Sequence, residues 1–257
     1  MIKAILLDLD GTVYLEDREV PGASDFVKWL EERDVQYLFV TNRANRTPEE
    51  VCEHLRSYGI ACEQDHILTS GQATAEHLGE GTVFCVGETG LEQALTEAGL
   101  SITEDNPDYV VVSYDRGFTY DKMHRACALI HAGAQFIATN PDKALKIEGG
   151  ISPGTGAIVA AVAAGSGQEP TVIGKPGRLI FDIALRRLGL KKEEVVAVGD
   201  NLDTDIAAGV NAEIRTALIL TGISTREEAT VVPAKPTWVV QNYSELRSVI
   251  EAELDGK

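Results

Sequence analysis

The sequence predicts an α/β protein: a Rossmann-like, parallel-sheet core with a second α/β unit inserted into it. Three observations carry that prediction. Short apolar runs of strand length recur along the chain and stop abruptly at polar loops, as at residues 2–7 before Asp8 and 195–198 before Gly199. Amphipathic segments of helical length alternate with these runs, the pattern of βαβ units. The alternation breaks at Gly79-Glu80-Gly81, starts afresh at Thr82 and resumes near Thr171. Residues 1–79 and 172–257 are therefore expected to form the core, and residues 80–171 the insert.

The first run contains Ile2, Ala4, Ile5, Leu6 and Leu7. Apolar at nearly every position, it suits a central strand covered on both faces. It empties into Asp8-Leu9-Asp10-Gly11-Thr12, and beyond the carboxyl ends of such strands is where ligands collect in open α/β sheets. Residues 23–33 place Phe26, Val27, Trp29 and Leu30 at helical spacing. A strand over 35–40 ends at Thr41-Asn42-Arg43. Thr47-Pro48-Glu49-Glu50 has the form of a helix start, a capping hydroxyl followed by proline, and that helix runs to Tyr58 before Gly59. A short strand at 67–70 and a helix to about residue 78 complete the first part.

In the insert, strands are expected over 83–86, 109–113 and 135–138, with helices over 91–98 and 120–132. The Gly/Pro-rich passage 149–156 precedes a small-residue helix ending near Ala164. Gly154-Thr155-Gly156 lacks the lysine of a P-loop and is read as a helix N-terminus. Residues 171–175 then read as a core strand that delivers Lys175 at its end. A helix over 177–188 stops at Gly189, and the strand 195–198 ends in Gly199-Asp200-Asn201-Leu202-Asp203-Thr204-Asp205. A helix over 206–210, strands over 216–220 and 238–240, and a helix over 243–254 close the chain.

Composition narrows the function classes. The 257 residues hold 23 Lys and Arg against 40 Asp and Glu, a net charge of -17. That argues against nucleic-acid and anionic-membrane partners, and would also suit a high-salt cytoplasm. No apolar run approaches spanning length and Met1-Ile2-Lys3 leads directly into a strand, so a cytoplasmic protein is expected. Cys52, Cys62, Cys85 and Cys127 show no Cys-x-x-Cys spacing and are expected as free thiols. The five histidines stand apart without ligand spacing, which disfavours zinc.

Asp8 and Asp10, two residues apart at a strand end, repel one another if both stay dry and ionised. They call for a hard divalent cation such as Mg2+, which takes oxygen ligands and shares them with substrate phosphate. Four strand ends in all would bring Asp8 and Asp10, Thr41, Lys175, and Asp200 and Asp205 to one sheet edge. Carboxylates, a hydroxyl and an ammonium in one place suit phosphoryl transfer.

Asp8-Leu9-Asp10-Gly11-Thr12, Thr41, Lys175 and Gly199-Asp200 through Thr204-Asp205 resemble, in order, the four motifs of the haloacid dehalogenase (HAD) superfamily of aspartate-nucleophile phosphatases. The insert between the second and third motifs, with Ala138-Thr139-Asn140-Pro141-Asp142 and Gly174-Lys175-Pro176, is similar to the class IIA cap of NagD-like and 4-nitrophenyl phosphatase-like proteins. The resemblance implies Asp8 as nucleophile and Asp10 as general acid and base. It implies Mg2+ on Asp8, the Asp10 carbonyl and Asp200, with Asp205 behind them. Thr41, Asn42 and Lys175 would hold phosphate oxygens, while Arg43, Asn140 and Asp142 are candidates for substrate specificity. Relatives often carry Asn at the position of Arg43 and Arg at that of Asn201. The expected activity is hydrolysis of a small phosphorylated metabolite through an aspartyl-phosphate, by a monomer or homodimer. The alternatives are a phosphotransferase or mutase on the same site, or a non-catalytic binding subunit.

Overall fold

The computed structural model describes residues 1–15, 17–147 and 150–255. Gly149, the first residue of the predicted Gly/Pro-rich passage, lies outside them. In chain order the elements begin with β1 (Ala4–Leu7), a small hairpin of β2 (Tyr14–Leu15) and β3 (Arg18–Glu19), α1 (Ala23–Glu32), β4 (Gln36–Thr41), α2 (Pro48–Ser57), β5 (Ile67–Thr69) and α3 (Ser70–Leu78). There follow β6 (Thr82–Val86), α4 (Thr89–Glu97), β7 (Ser101–Ile102), β8 (Tyr109–Val112), α5 (Tyr120–His131), β9 (Gln135–Ala138), the hairpin β10 (Ala144–Ile147) and β11 (Gly150–Pro153), and α6 (Thr155–Ser166). The chain ends with β12 (Thr171–Val172), α7 (Leu179–Leu188), β13 (Val195–Gly199), α8 (Ala207–Asn211), β14 (Arg215–Ile219), α9 (Arg226–Val231), β15 (Trp238–Val240) and α10 (Tyr243–Leu254).

Two compact units result. The first comprises Met1–Thr41, Glu49–Leu68 and Lys175–Lys257, and the second Asn42–Pro48 and Thr69–Gly174. The first is built on a six-stranded sheet in the order β15-β14-β13-β1-β4-β5. β1 is buried at every position because β13 and β4 flank it in parallel register. Alternate residues along four strands (Ile5 and Leu7, Tyr37 and Phe39, Val196 and Val198, Ala217 and Ile219) share one hydrophobic core with Phe26, Trp29 and Leu30 of α1 and Leu246 and Ile250 of α10. The helix predicted after Thr47 forms at Pro48 as expected.

The second unit carries a five-stranded sheet in the order β12-β9-β8-β6-β7, whose strands all pair in parallel. Phe84, Val86, Val110, Val112 and Phe136 cover one face together with Leu129 and Ile130 of α5 and Val162 of α6. The small residues of α6 let it lie close to α5: a Cβ at Gly165 would be 2.7 Å from Cys127 Sγ.

Two expectations are corrected here. Residues 171–175 do not form a core strand. β12 pairs with β9, Thr171 opposite Ile137 and Val172 opposite Ala138, and the attachment continues as Ile173 and Gly174 donate to the Ala138 and Thr139 carbonyls. The strand is two residues long and ends before Lys175, which therefore stands on a loop. Nor are all four cysteines free: Cys52 of α2 and Cys62 form a disulfide with their Cα atoms 5.2 Å apart, leaving Cys85 and Cys127 as thiols. The turn after α2 brings two positions together that are ten residues apart and carry no recognisable motif.

Closing so short a loop stabilises by about 3 kcal/mol on chain-entropy grounds. Thiol titration of the unfolded, unreduced protein should count two free thiols, not four. Reduction should lower the midpoint of urea unfolding by the equivalent of roughly that free energy. Four reactive thiols, or an unmoved midpoint, would remove the bond from the account of stability.

Candidate active site

Sheet register brings the acidic residues together. Leu7 lies opposite Val198 on one side and Phe39 on the other, so Asp8 leaves β1 at the level where β13 reaches Gly199 and β4 reaches Val40. Asp8 is held at that height as its N–H donates to the Val198 carbonyl at 2.9 Å. The chain then coils tightly, with the N–H groups of Thr12, Val13 and Tyr14 all directed at the Leu9 carbonyl. Gly11 has φ +84°, a left-handed conformation that only glycine adopts freely. Asp10 lies half-buried in this loop, bridged to Tyr14.

Lys175 enters this group from its loop and is buried, 2% exposed. Its ammonium meets three acceptors: Asp8 Oδ1 at 2.5 Å, Asp205 Oδ1 at 2.7 Å and the Val40 carbonyl at 2.9 Å. The contacts with Asp8 and Val40 are hydrogen bonds and the contact with Asp205 is an ion pair. Burial alone would push its pKa down, but Asp205 and Asp8 override that and hold it above the ordinary lysine value.

Asp200 and Asp205 follow β13. Asp200 is 1% exposed, and its Oδ2 accepts the Ile223 N–H at 2.7 Å. Asp205 sits on a π-type turn, Leu202–Ile206, in which the Ile206 N–H reaches back to the Asn201 carbonyl. Such a turn inserts a residue relative to an α-helix and is frequent at functional sites. It rotates Asp205 inward, where its Oδ2 accepts the Asn201 N–H at 3.1 Å. Asn201 itself caps the turn, its Oδ1 accepting the Asp203 N–H at 2.9 Å. The turn replaces the first residue of the helix predicted over 206–210, since a sequence shows periodicity but not a single extra residue per turn.

The carboxylates of Asp8, Asp200 and Asp205 each offer an oxygen within 4.8 Å of the others. Burial, then Asp205, raises the pKa of Asp8 well above the usual carboxylate range, against the pull of Lys175. The same two causes push Asp200 up to about 7. One ammonium among two buried carboxylates and the half-buried Asp8 leaves two negative charges uncompensated when all are ionised. The donors are hard oxygens, so the cluster fits a divalent cation of the Mg2+ type and does not fit a soft metal.

Other predicted residues lie elsewhere. Thr41 is buried at the end of β4, one residue beyond the carbonyl that Lys175 holds. Asn42, Arg43, Asn140 and Asp142 belong to the second unit. There Asn140 Nδ2 donates to the Asn42 carbonyl at 2.7 Å, as does Ser70 Oγ at 2.6 Å. Asn42 Nδ2 donates to Asp142 Oδ2 at 3.0 Å, and Asn140 Oδ1 accepts the Asp142 N–H at 3.1 Å. Asn140 is buried and Arg43 half-buried. The polar groups of Asn140 are thus engaged in bracing the Asn42 segment and closing their own turn.

Sequence reading missed the loop after β14. Thr221 Oγ1 donates to the Gly11 carbonyl at 2.7 Å, and Ile223 reaches Asp200 through its backbone. Tyr243 was also missed: its hydroxyl donates to the Thr12 carbonyl at 2.9 Å, so α10 pins the same loop. Backbone donors carry no sequence signal. Thr221 and the Tyr243 hydroxyl could have been found only as polar groups placed at the ends of a predicted strand and helix.

The raised carboxyl groups give a pH dependence whose sign is fixed. Between about pH 4 and pH 7 the folded state binds more protons than the unfolded chain, whose carboxyls titrate near 4, so their contribution to stability falls as pH rises. Lys175, with its pKa raised, contributes constantly below the ordinary lysine value and does not alter this window. Metal-free protein should melt higher near pH 5 than near pH 8, by roughly 5 °C. Saturating divalent cation should narrow that gap, and Asp200→Asn should flatten the slope without metal. Calorimetric melting checks all three, and a midpoint that rises with pH would contradict the charge analysis.

Two family models match the chain: one described as haloacid dehalogenase-like hydrolase over residues 5–101, and a HAD-hydrolase-like model over residues 172–246. The 5'-nucleotidase YutF of Bacillus subtilis is 40% identical over 247 residues, covering 95% of this chain and 96% of that protein. An acid sugar phosphatase of Staphylococcus epidermidis is 42% identical over 258 residues, with 98% of each chain covered. The crystal structure of a 4-nitrophenylphosphatase from Thermotoga maritima superimposes with a TM-score of 0.90 at 37% identity, covering 95% of this chain and 96% of that one. With Asp8, Lys175, Asp200 and Asp205 converging at the carboxyl edge of a parallel sheet, the chain belongs to the haloacid dehalogenase-like hydrolases, in their NagD-like, 4-nitrophenyl phosphatase-like branch.

Proposed function

We propose that the protein is a Mg2+-dependent phosphatase that hydrolyses small phosphomonoesters, of the sugar phosphate or nucleoside monophosphate class, through a phosphorylated Asp8. The observation that carries this reading is the ion pair of Asp8 with a buried lysine. A carboxyl whose pKa burial raises is a poor nucleophile when protonated. The Lys175 ammonium opposes that shift and fixes one carboxylate oxygen, leaving the other free to attack.

In the first step Asp8 attacks phosphorus, the bond to the leaving oxygen breaks, and Asp10 delivers a proton to that oxygen. In the second, Asp10 takes a proton from water, the water oxygen attacks the same phosphorus, and Asp8 is released together with phosphate. Asp10 fits this exchange because it is half-buried rather than enclosed. The Thr41 hydroxyl and the Asn42 amide would donate to phosphoryl oxygens as charge develops there. Mg2+, held by Asp8, the Asp10 carbonyl and Asp200, would neutralise phosphoryl charge when bound. Asp205 keeps Lys175 and the turn that presents Asp200 in place. Residues 80–171, within the second unit, would form the cap. There Asn140 acts by holding the Asn42 segment, and Arg43 and Asp142 remain candidates for substrate choice.

Phosphate release from a panel of sugar phosphates, nucleoside monophosphates and 4-nitrophenyl phosphate tests the reading. Turnover should need Mg2+ and vanish with EDTA. Asp8→Asn should abolish it, and Asp10→Asn should lower kcat by about 10²–10⁴-fold. Appreciable turnover by a folded Asp8→Asn variant would eliminate the aspartyl-phosphate route.

A further inference from the structure

The loop that follows β14 bears no acid or base, yet it closes on the acidic cluster from two directions. The Ile223 N–H donates to Asp200 Oδ2 at 2.7 Å. Ser224 donates its N–H to the Asp200 carbonyl at 3.1 Å, and its hydroxyl accepts the Leu202 N–H at 3.0 Å. Gly222 lies so near the carboxylate that a Cβ there would be 1.9 Å from Asp200 Oδ2. Its φ is outside the left-handed region, so close approach alone demands glycine. Gly11 closes the opposite side, where a Cβ would be 2.4 Å from the same oxygen. Thr221 joins the two walls, its hydroxyl donating to the Gly11 carbonyl at 2.7 Å.

We infer that Thr221 is a positioning residue for the metal site: it ties the loop carrying Asp8 and Asp10 to the loop whose backbone fixes the Asp200 carboxylate. One oxygen of Asp200 is held by the Ile223 N–H, so the other is presented for coordination in a single orientation. Groups that orient a metal ligand without touching the ion commonly change affinity or activity by 10- to 100-fold when removed. Gly11 follows Asp10 directly, so a shift of its carbonyl would alter the placement of the Asp10 carbonyl relative to the Asp200 carboxylate. The inference rests on Asp200 being a metal ligand, as proposed above.

Calorimetric titration of Mg2+ into metal-free protein, without substrate, reads the effect directly. Thr221→Val keeps the side-chain shape and removes the donor. It should weaken Mg2+ binding about tenfold, raise the Mg2+ concentration needed for half-maximal rate in parallel, and leave KM at saturating Mg2+ within about twofold. Thr221→Ser should recover most of the affinity. Ile223→Pro removes the N–H on Asp200 from the other wall and should weaken Mg2+ binding by a similar factor. Where the valine disturbs the fold, as judged by circular dichroism, Thr221→Ala gives the same comparison.

Wild-type Mg2+ affinity in folded Thr221→Val or Thr221→Ala overturns the inference and leaves the proposed function standing. A lower melting temperature with unchanged affinity does the same, since it marks a merely structural residue. Absence of Mg2+ binding by the wild-type protein overturns the metal reading itself, and the inference with it.

Discussion

Lys175 is the one cation within ion-pairing reach of Asp8 and Asp205 among the described residues, and the arrangement of the first unit follows from what it can and cannot neutralise. An ammonium has three protons. This one donates to Asp8 and to the Val40 carbonyl, which anchors the lysine to β4, and pairs with Asp205 at 2.7 Å. Asp200 is left outside this set, and burial, followed by the repulsion of Asp205, shifts its carboxyl toward neutral pH. Gathering three carboxylates, two of them buried, around one lysine is unfavourable for folding alone. The sheet tolerates it because parallel register places Asp8 beside the carboxyl end of β13 whatever the charges prefer.

That imbalance divides labour among residues of one type. Asp205 has Lys175 on one oxygen and the Asn201 N–H on the other, so both its oxygens are engaged within the protein. Asp200 has one oxygen on the Ile223 N–H. Asp8 has one oxygen on Lys175. Asp8 and Asp200 are therefore the carboxylates with coordinating capacity to offer, and Asp205 is suited to supporting them. The distinction comes from the contacts each oxygen makes, an ion pair and a peptide N–H in the case of Asp205, rather than from formal charge, which is the same for all three.

Most of this was legible in the sequence, for a local reason. Apolar runs ending in Asp8, Thr41 and Asp200 are short-range signals, and parallel topology converts them into a shared edge. Lys175 is legible as a residue but not as a place: the sequence reads as a core strand over 171–175, while β12 joins the second sheet. A run of two or three apolar residues has no periodicity with which to choose its partner. The Cys52–Cys62 pair and the π turn at Leu202–Ile206 were invisible because each depends on one turn's geometry. The resemblance offers Asn140 and Asp142 as specificity candidates, and nothing in the sequence reveals that Asn140 braces the Asn42 segment or that Asn42 donates to Asp142.

The loop after β14 shows why motifs understate a site. Gly222 must be glycine because Asp200 occupies the space of its Cβ, and Ile223 contributes a peptide N–H that any residue but proline would supply. Neither requirement names a chemistry, so neither resembles a catalytic signature. Yet the carboxylate orientation depends on them as directly as its charge state depends on burial and on Asp205. Thr221 differs from both in acting through a side chain, on a carbonyl of the very loop that carries Asp8 and Asp10. The acidic cluster is consequently held by two kinds of constraint: sheet register sets the heights of Asp8 and Asp200, and hydroxyl-to-carbonyl ties from Thr221 and Tyr243 set the course of the loop between Gly11 and Thr12. Register alone would leave that loop free to shift under the repulsion of its own carboxylates, and the ties oppose that motion before any cation arrives.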